Sequence, residues 1–211
     1  MIYNKDISLQ TADHLLRINA VKLSPNKLFT WASGIQSPIY CDNRVTLSFP
    51  EIRAFIRDKF SEIIREKSGI PDLIAGVATG GIPQGALVAD RLGLPFVYVR
   101  SGKKDHGLTN QIEGKTEPGQ SVVVIEDLIS TGRSSLDVVE VLKQAQCRVV
   151  AMVAIFTYNL PVSERGFTEA QCPLYTLTDY DILIEKALER KYITQEDLKV
   201  LRAFKETLAN R

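Results

Sequence analysis

Four short apolar runs dominate the middle of the chain: "DLIAGV", "PFVYVR", "SVVVIE" and "RVVAMVAIF". Helical patterns lie between them, "IPQGALVADRLG" after the first run and residues 134–144 before the last. Runs this short and this apolar read as strands buried on both faces. Such burial implies parallel pairing through crossover helices. The alternation therefore predicts an α/β fold with a mostly parallel central sheet flanked by helices, its core spanning about 70–160. In open sheets of this kind, ligands bind beyond the carboxyl ends of the strands. The loops at 78–81, 101–119 and 126–134 are expected to meet around one crevice.

The flanks have a different pattern. Residues 7–20 read as an amphipathic helix, and "KLFTWASGIQSPIYCDNR", broken by Gly34 and Pro38, reads as a short hairpin. A helix is expected from Pro50 to Lys67, since proline suits a first helical turn and Gly69 follows the end. "TDYDILIEKALE" and "TQEDLKVLRAFKETLA" read as C-terminal helices. Residues 1–211 are thus expected to form one domain, with a small hood lobe built from about 1–48 and the C-terminal helices.

With a net charge of +1 over 211 residues, the chain has no overall attraction to nucleic acid, so any anion site must be local. Cys41, Cys147 and Cys172 show no metal-ligand spacing and are too few and too scattered for a disulfide framework. They suggest a reducing compartment. Neither a signal-peptide pattern nor an apolar run of membrane-spanning length is visible. A cytoplasmic protein without membrane or nucleic-acid partners is expected.

Each post-strand loop carries its own chemistry. In "GVATGGIPQG", Gly76 and Gly81 have P-loop spacing, but Ile82 and Pro83 stand where the lysine and hydroxyl belong, so a nucleotide-triphosphatase site is excluded. Two readings stay open for this loop. It is a plain tight turn, or the bare backbone of Thr79, Gly80 and Gly81 approaches a phosphate. The loop from Arg100 carries Lys103, Lys104 and His106, with glycines that permit movement. Loops of this length tend to be lids or binding loops, and four cationic or ionisable groups within seven residues of a strand end favour an anion. His14 lies in a helix without chemical character and is expected to be structural.

The third loop poses the sharpest question. Glu126 and Asp127 follow "VVVI" directly, and like charges at a buried strand end are costly unless satisfied. A metal, backbone amides or sugar hydroxyls would satisfy them. Ser130, Thr131, Gly132, Arg133 and Ser134 then lead into a helix N-terminus, whose free N–H groups and dipole suit an anion. An acid pair beside an anion cradle fits a ribose 5-phosphate group.

"VVVIEDLISTGRSS" resembles the phosphoribosyl pyrophosphate (PRPP) motif of the type I phosphoribosyltransferases. "YVRSGKKDHGLTNQIEG" is similar to the mobile catalytic loop of their orotate-specific branch, and "FTWASGIQSPIYCDNR" to that branch's N-terminal segment. With its flanking helices matching the family's hood, the resemblance covers nearly the whole chain. It implies a magnesium-dependent transfer of ribose 5-phosphate from PRPP to orotate, giving orotidine 5′-monophosphate and pyrophosphate in pyrimidine biosynthesis. The ion would be held mainly through PRPP, with no protein ligand assigned.

By position, the resemblance implies that Glu126 and Asp127 hold the ribose hydroxyls. The 5-phosphate would lie on Ser130 to Ser134, with Leu128, Ile129, Thr79 and Gly80 also on the PRPP side. Arg100, Lys104 and His106 would face the pyrophosphate, with Lys103 also on the PRPP side. Lys104 and His106 would reach into a partner's site, which implies a homodimer with active sites shared through 100–119. Orotate would contact Ser130, Ile39 and Tyr40. Arg100, Lys104, His106 and Asp127 would be the catalytic set.

Some positions depart from relatives: Ala32 and Thr79-Gly80 replace lysine-containing patterns, and Asn159 stands near an expected arginine. These leave open which side chains hold the orotate carboxylate. A purine-base transferase would share the third loop but not the Lys-Asp-His-Gly lid. A PRPP-sensing regulator would lack the lid and carry a basic face.

Overall fold

The structure is a computed structural model and describes residues 2–31, 34–100 and 111–210. From the N-terminus, α1 (Lys5–Arg17) precedes β1 (Val21–Leu23), β2 (Phe29–Thr30), β3 (Gln36–Ser37) and β4 (Ile39–Cys41). A short 3-10 helix (Asn43–Ser48) leads into α2 (Pro50–Lys67). The core follows as β5 (Leu73–Val77), α3 (Gly81–Leu92), β6 (Phe96–Val99), β7 (Ile112–Glu113), β8 (Ser121–Ile129), α4 (Arg133–Gln144) and β9 (Arg148–Thr157). It closes with α5 (Pro161–Glu169), β10 (Leu174–Asp179), α6 (Tyr180–Glu189) and α7 (Gln195–Ala209).

Six strands form one sheet in the order β10-β9-β8-β5-β6-β7, parallel except for β7, which runs antiparallel to β6. One face packs its Ile74, Val123, Ile125, Val153 and Ile155 against α1, α2, α3, α6 and α7. The other packs Ala75, Val124 and Met152 against α4 and α5. Both faces are covered, as the unbroken apolar runs require.

The structure departs from the sequence expectation in four places. The hairpin of the N-terminal segment is two antiparallel pairs, β2 with β3 and β1 with β4. The second loop ends earlier than 119, because Ile112 and Glu113 fold back as β7 against Val99 and Tyr98. β8 does not stop at the acids: Glu126 pairs with Ala154 and Leu128 with Phe156, so the strand runs through them to Ile129. Finally, "TDYD" does not begin a helix. Thr178 and Asp179 end the added strand β10, and the Asp179 side chain accepts from Ile182 N to cap α6.

Trp31 joins the chain's two flanks. Its ring stands edge-on to Tyr158 at 5.4 Å and to Phe204 of α7 at 6.0 Å, and its Nε1 donates to the Ile39 carbonyl at 3.0 Å. The N-terminal segment and C-terminal helices thereby share one apolar cluster with the sheet.

Candidate active site

The carboxyl ends of β5, β6, β8 and β9 lie side by side. Val77 is in register with Val99, Gly76 with Ile125, and Ile129 with Thr157. Thr79, Arg100, Thr131 and Asn159 follow these ends and are exposed. Four strand ends thus share the edge of the sheet at which the crevice is expected.

Glu126 and Asp127 have different surroundings. Glu126 is only 5% exposed. Its Oε1 accepts from Asp127 N and its Oε2 from Ser135 Oγ, both at 2.9 Å. Asp127 is half-buried and lies against the Gly80 backbone. A Cβ added to Gly80 would fall on the Asp127 carboxylate. The glycine is needed here for space, since its φ of −66° is one any residue adopts. The Ala78–Thr79 peptide just before it is cis. On its carbonyl side, Asp127 accepts from Asn43 Nδ2 at 2.6 Å.

Burial, and next the Asp127 charge, hold the Glu126 carboxyl well above the usual carboxylate range. A carboxyl raised in this way is preferred protonated by the folded chain. Its ionisation costs stability above the unfolded pKa, and the cost grows until the folded pKa is passed. Glu126→Gln is accordingly expected to melt higher than the parent at pH 8. Below about pH 4.3, the ordinary value for glutamate, that advantage should vanish. Thermal melts across this range check it, and an equal difference at every pH would contradict the assignment.

The helix N-termini differ in how their free N–H groups are satisfied. α1, α6 and α7 have side-chain caps, and α2 and α5 begin with proline. α3 and α4 have neither; each is preceded by a glycine, Gly80 and Gly132, and lacks an acid in its first turn. These two helices begin just after β5 and β8, at the carboxyl edge of the sheet. Gly132 adopts φ +80°, and α5 closes behind it, with Phe167 Cε2 2.9 Å from where a Cβ would stand. Ser130 is half-buried, and the exposed Thr131 and Ser134 add hydroxyls beside the free N–H groups of α4.

Other expected residues stand as follows. Leu128 and Ile129 are in β8, and the Ile129 carbonyl accepts from Tyr158 N at 3.0 Å. Arg133 is the exposed first residue of α4. Arg100 is at the end of β6, where it pairs with Glu113 of β7. Ile39 is fully buried, and its carbonyl already accepts from Trp31 Nε1 and Ser37 Oγ. Tyr40, 39% exposed, has its ring 5.8 Å from Phe29. Lys103, Lys104 and His106, as well as Ala32, lie outside the described residues. His14 packs edge-on to Phe55 at 5.0 Å, as a structural residue would. All three cysteines are free thiols. Asn43, held against β8, is the site neighbour that sequence reasoning did not single out.

Residues 47–168 match the family model described as the phosphoribosyl transferase domain. A Bacteroides fragilis protein named orotate phosphoribosyltransferase is 52% identical over 206 residues, covering 98% of this chain and 97% of its own. The chain belongs to the phosphoribosyltransferase family, among the orotate phosphoribosyltransferases. Within that family, the Phocaeicola vulgatus orotate phosphoribosyltransferase is 58% identical over 190 residues, covering 90% of both chains. A solved orotate phosphoribosyltransferase from Aeropyrum pernix superimposes with a TM-score of 0.74 at 27% identity, over 87% of this chain and 99% of that one. The adenine phosphoribosyltransferase of Trypanosoma brucei has the same fold at 20% identity, with a TM-score of 0.61 over 81% of this chain and 80% of its own.

Proposed function

We propose that this family member transfers ribose 5-phosphate from PRPP to a ring nitrogen of orotate. The products are orotidine 5′-monophosphate and pyrophosphate, a step of pyrimidine nucleotide biosynthesis. The observation that carries the reading is the near-full-length identity to proteins named orotate phosphoribosyltransferase. The uncapped α4 terminus one turn beyond the acid pair supports it independently.

In this reading the α4 N-terminus and the Ser130–Ser134 hydroxyls take the 5-phosphate. Asp127, with Glu126 behind it, accepts from the ribose hydroxyls. The Gly80 backbone closes over the sugar. Positive charge develops at the anomeric carbon and negative charge on the leaving pyrophosphate. Arg100, Lys103, Lys104 and His106 stabilise the second charge, and preorganised charge of this kind is the largest catalytic contribution a site like this offers. Orotate lies near Ser130 and Tyr40. Ile39 would serve only by shaping the wall, because its carbonyl is engaged.

Magnesium is the implied cofactor, screening the pyrophosphate charge when bound. No group of three or more His, Cys, Asp or Glu among the described residues is arranged around an ion. Such an ion would arrive on phosphate oxygens and keep much of its water, with Asp127 the more open of the two adjacent acids.

The whole of 1–211 would act as one domain, with the N- and C-terminal segments as a hood over the core. A homodimer sharing its sites through 100–119, in the cytoplasm, completes the reading. No described helix is long and apolar enough to cross a membrane. Mixing Lys104→Ala with Asp127→Ala subunits tests the sharing. Each variant alone should be nearly inactive and the mixture should recover about a quarter of parental activity, as one intact site in half of the dimers would give. No recovery would leave each subunit self-sufficient. The acceptor is tested in reverse: orotidine 5′-monophosphate with pyrophosphate and magnesium should regenerate orotate. Release of adenine from adenosine 5′-monophosphate instead would favour a purine-base enzyme.

A further inference from the structure

Asn43 is 1% exposed and stands 84 positions from its partner on β8. Its side chain is fixed at both ends. Nδ2 donates to the Asp127 carbonyl at 2.6 Å, and Oδ1 accepts from Cys41 Sγ at 3.4 Å. Its own carbonyl accepts from Thr46 Oγ1 at 2.6 Å, which pins the start of the 3-10 helix. The amide therefore belongs to a rigid corner between β4 and α2.

The partner is placed where support is needed. β5 pairs with β8 only as far as Gly76 and Ile125, so from Glu126 onward β8 has β9 alone as a ladder neighbour. Asp127 is in this one-sided stretch. Its N–H is held by Glu126, its carbonyl by Asn43, and its carboxylate lies against Gly80. Remove the Asn43 donor, and one of the two bonds that fix the backbone on either side of the Asp127 Cα is gone. A part-buried carbonyl that loses its donor carries a desolvation cost that a shift of the backbone can relieve.

We infer that Asn43 is a positioning residue that holds Asp127 in the orientation from which it grips the donor sugar, linking the N-terminal segment to the PRPP side of the crevice. The inference rests on the proposed assignment of Asp127 to the ribose hydroxyls. It does not depend on which base is the acceptor.

Asn43→Asp keeps the side chain's shape but replaces the donor with an acceptor. PRPP affinity, measured by calorimetry with magnesium and no acceptor, is expected to fall about tenfold, the loss of one well-placed bond to a neighbouring group. The KM for PRPP should rise in parallel while the KM for orotate stays within about twofold. In an Asp127→Ala background the same change should add less than about twofold, because the two act through one carboxylate. Asn43→Ala serves the same comparison if the aspartate variant does not fold. Unchanged PRPP affinity, equal losses for both substrates, or full additivity with Asp127→Ala would each overturn the inference. If the parent binds PRPP but leaves orotate untouched, the acceptor assignment fails and the affinity comparison still decides the role of Asn43. If the parent does not bind PRPP, the donor-site reading fails first, and Asn43 loses its role with it.

Discussion

Asp127→Ala is expected to lower kcat/KM for PRPP by about 10²–10³-fold while the protein stays folded, by analogy with removal of one preorganised group facing a developing charge. That corresponds to about 2.7–4 kcal/mol of transition-state stabilisation. Three features favour a large effect. Asp127 is the more open of the two acids, its backbone N–H and carbonyl are both held, and its carboxylate lies against Gly80 at the uncapped α3 terminus. Stability should change little, because the Asp127 bonds to Glu126 and Asn43 use its backbone and survive the substitution. Steady-state kinetics beside a thermal melt separates the two effects. An Asp127→Ala variant with near-parental kcat/KM would show that the ribose is gripped elsewhere.

Gly80→Ala is expected to lose about 10²-fold in activity through geometry alone, since a displacement of about 1 Å at a reacting centre carries a penalty of that size. The added methyl would occupy the position of the Asp127 carboxylate. The backbone accepts alanine without torsional strain, so the variant should fold, with overpacking costing about 1–3 kcal/mol. The carboxylate must swing away or α3 must shift, and either change widens the gap the sugar would fill. Kinetics and a melt on the same preparation check this. Full activity would mean that the close approach of the α3 terminus to β8 has no part in binding PRPP.

The two substitutions probe the part of the site that was most legible in the sequence. Short apolar runs placed β5, β6, β8 and β9, because a strand buried on both faces has no other pattern to adopt. Pro50 placed the start of α2, and the Ser-Thr-Gly-Arg run placed that of α4 to within one residue. What local pattern missed was decided by tertiary pairing. Glu126 and Asp127 break an apolar run and so suggested a loop, yet pairing with Ala154 and Phe156 on either side carries β8 past them. β10 holds two threonines and an aspartate, weak signals alone, and forms because β9 offers it a parallel edge. The same cause hides Asn43, since a hydrogen bond across 84 positions leaves no trace in spacing. It also hides the division of labour between the acids. Adjacent carboxylates look equivalent in a sequence, but Ser135 donates to the carboxylate of Glu126, while Gly80 before α3 lies against that of Asp127.

Incubating the purified protein with orotate, PRPP and magnesium, and following orotate absorbance together with released pyrophosphate, tests the central claim most directly. The account predicts that orotate disappears with one pyrophosphate formed per orotate, and that neither signal changes when PRPP is withheld. Unchanged orotate, with pyrophosphate released only when adenine or another purine base is supplied, would contradict it.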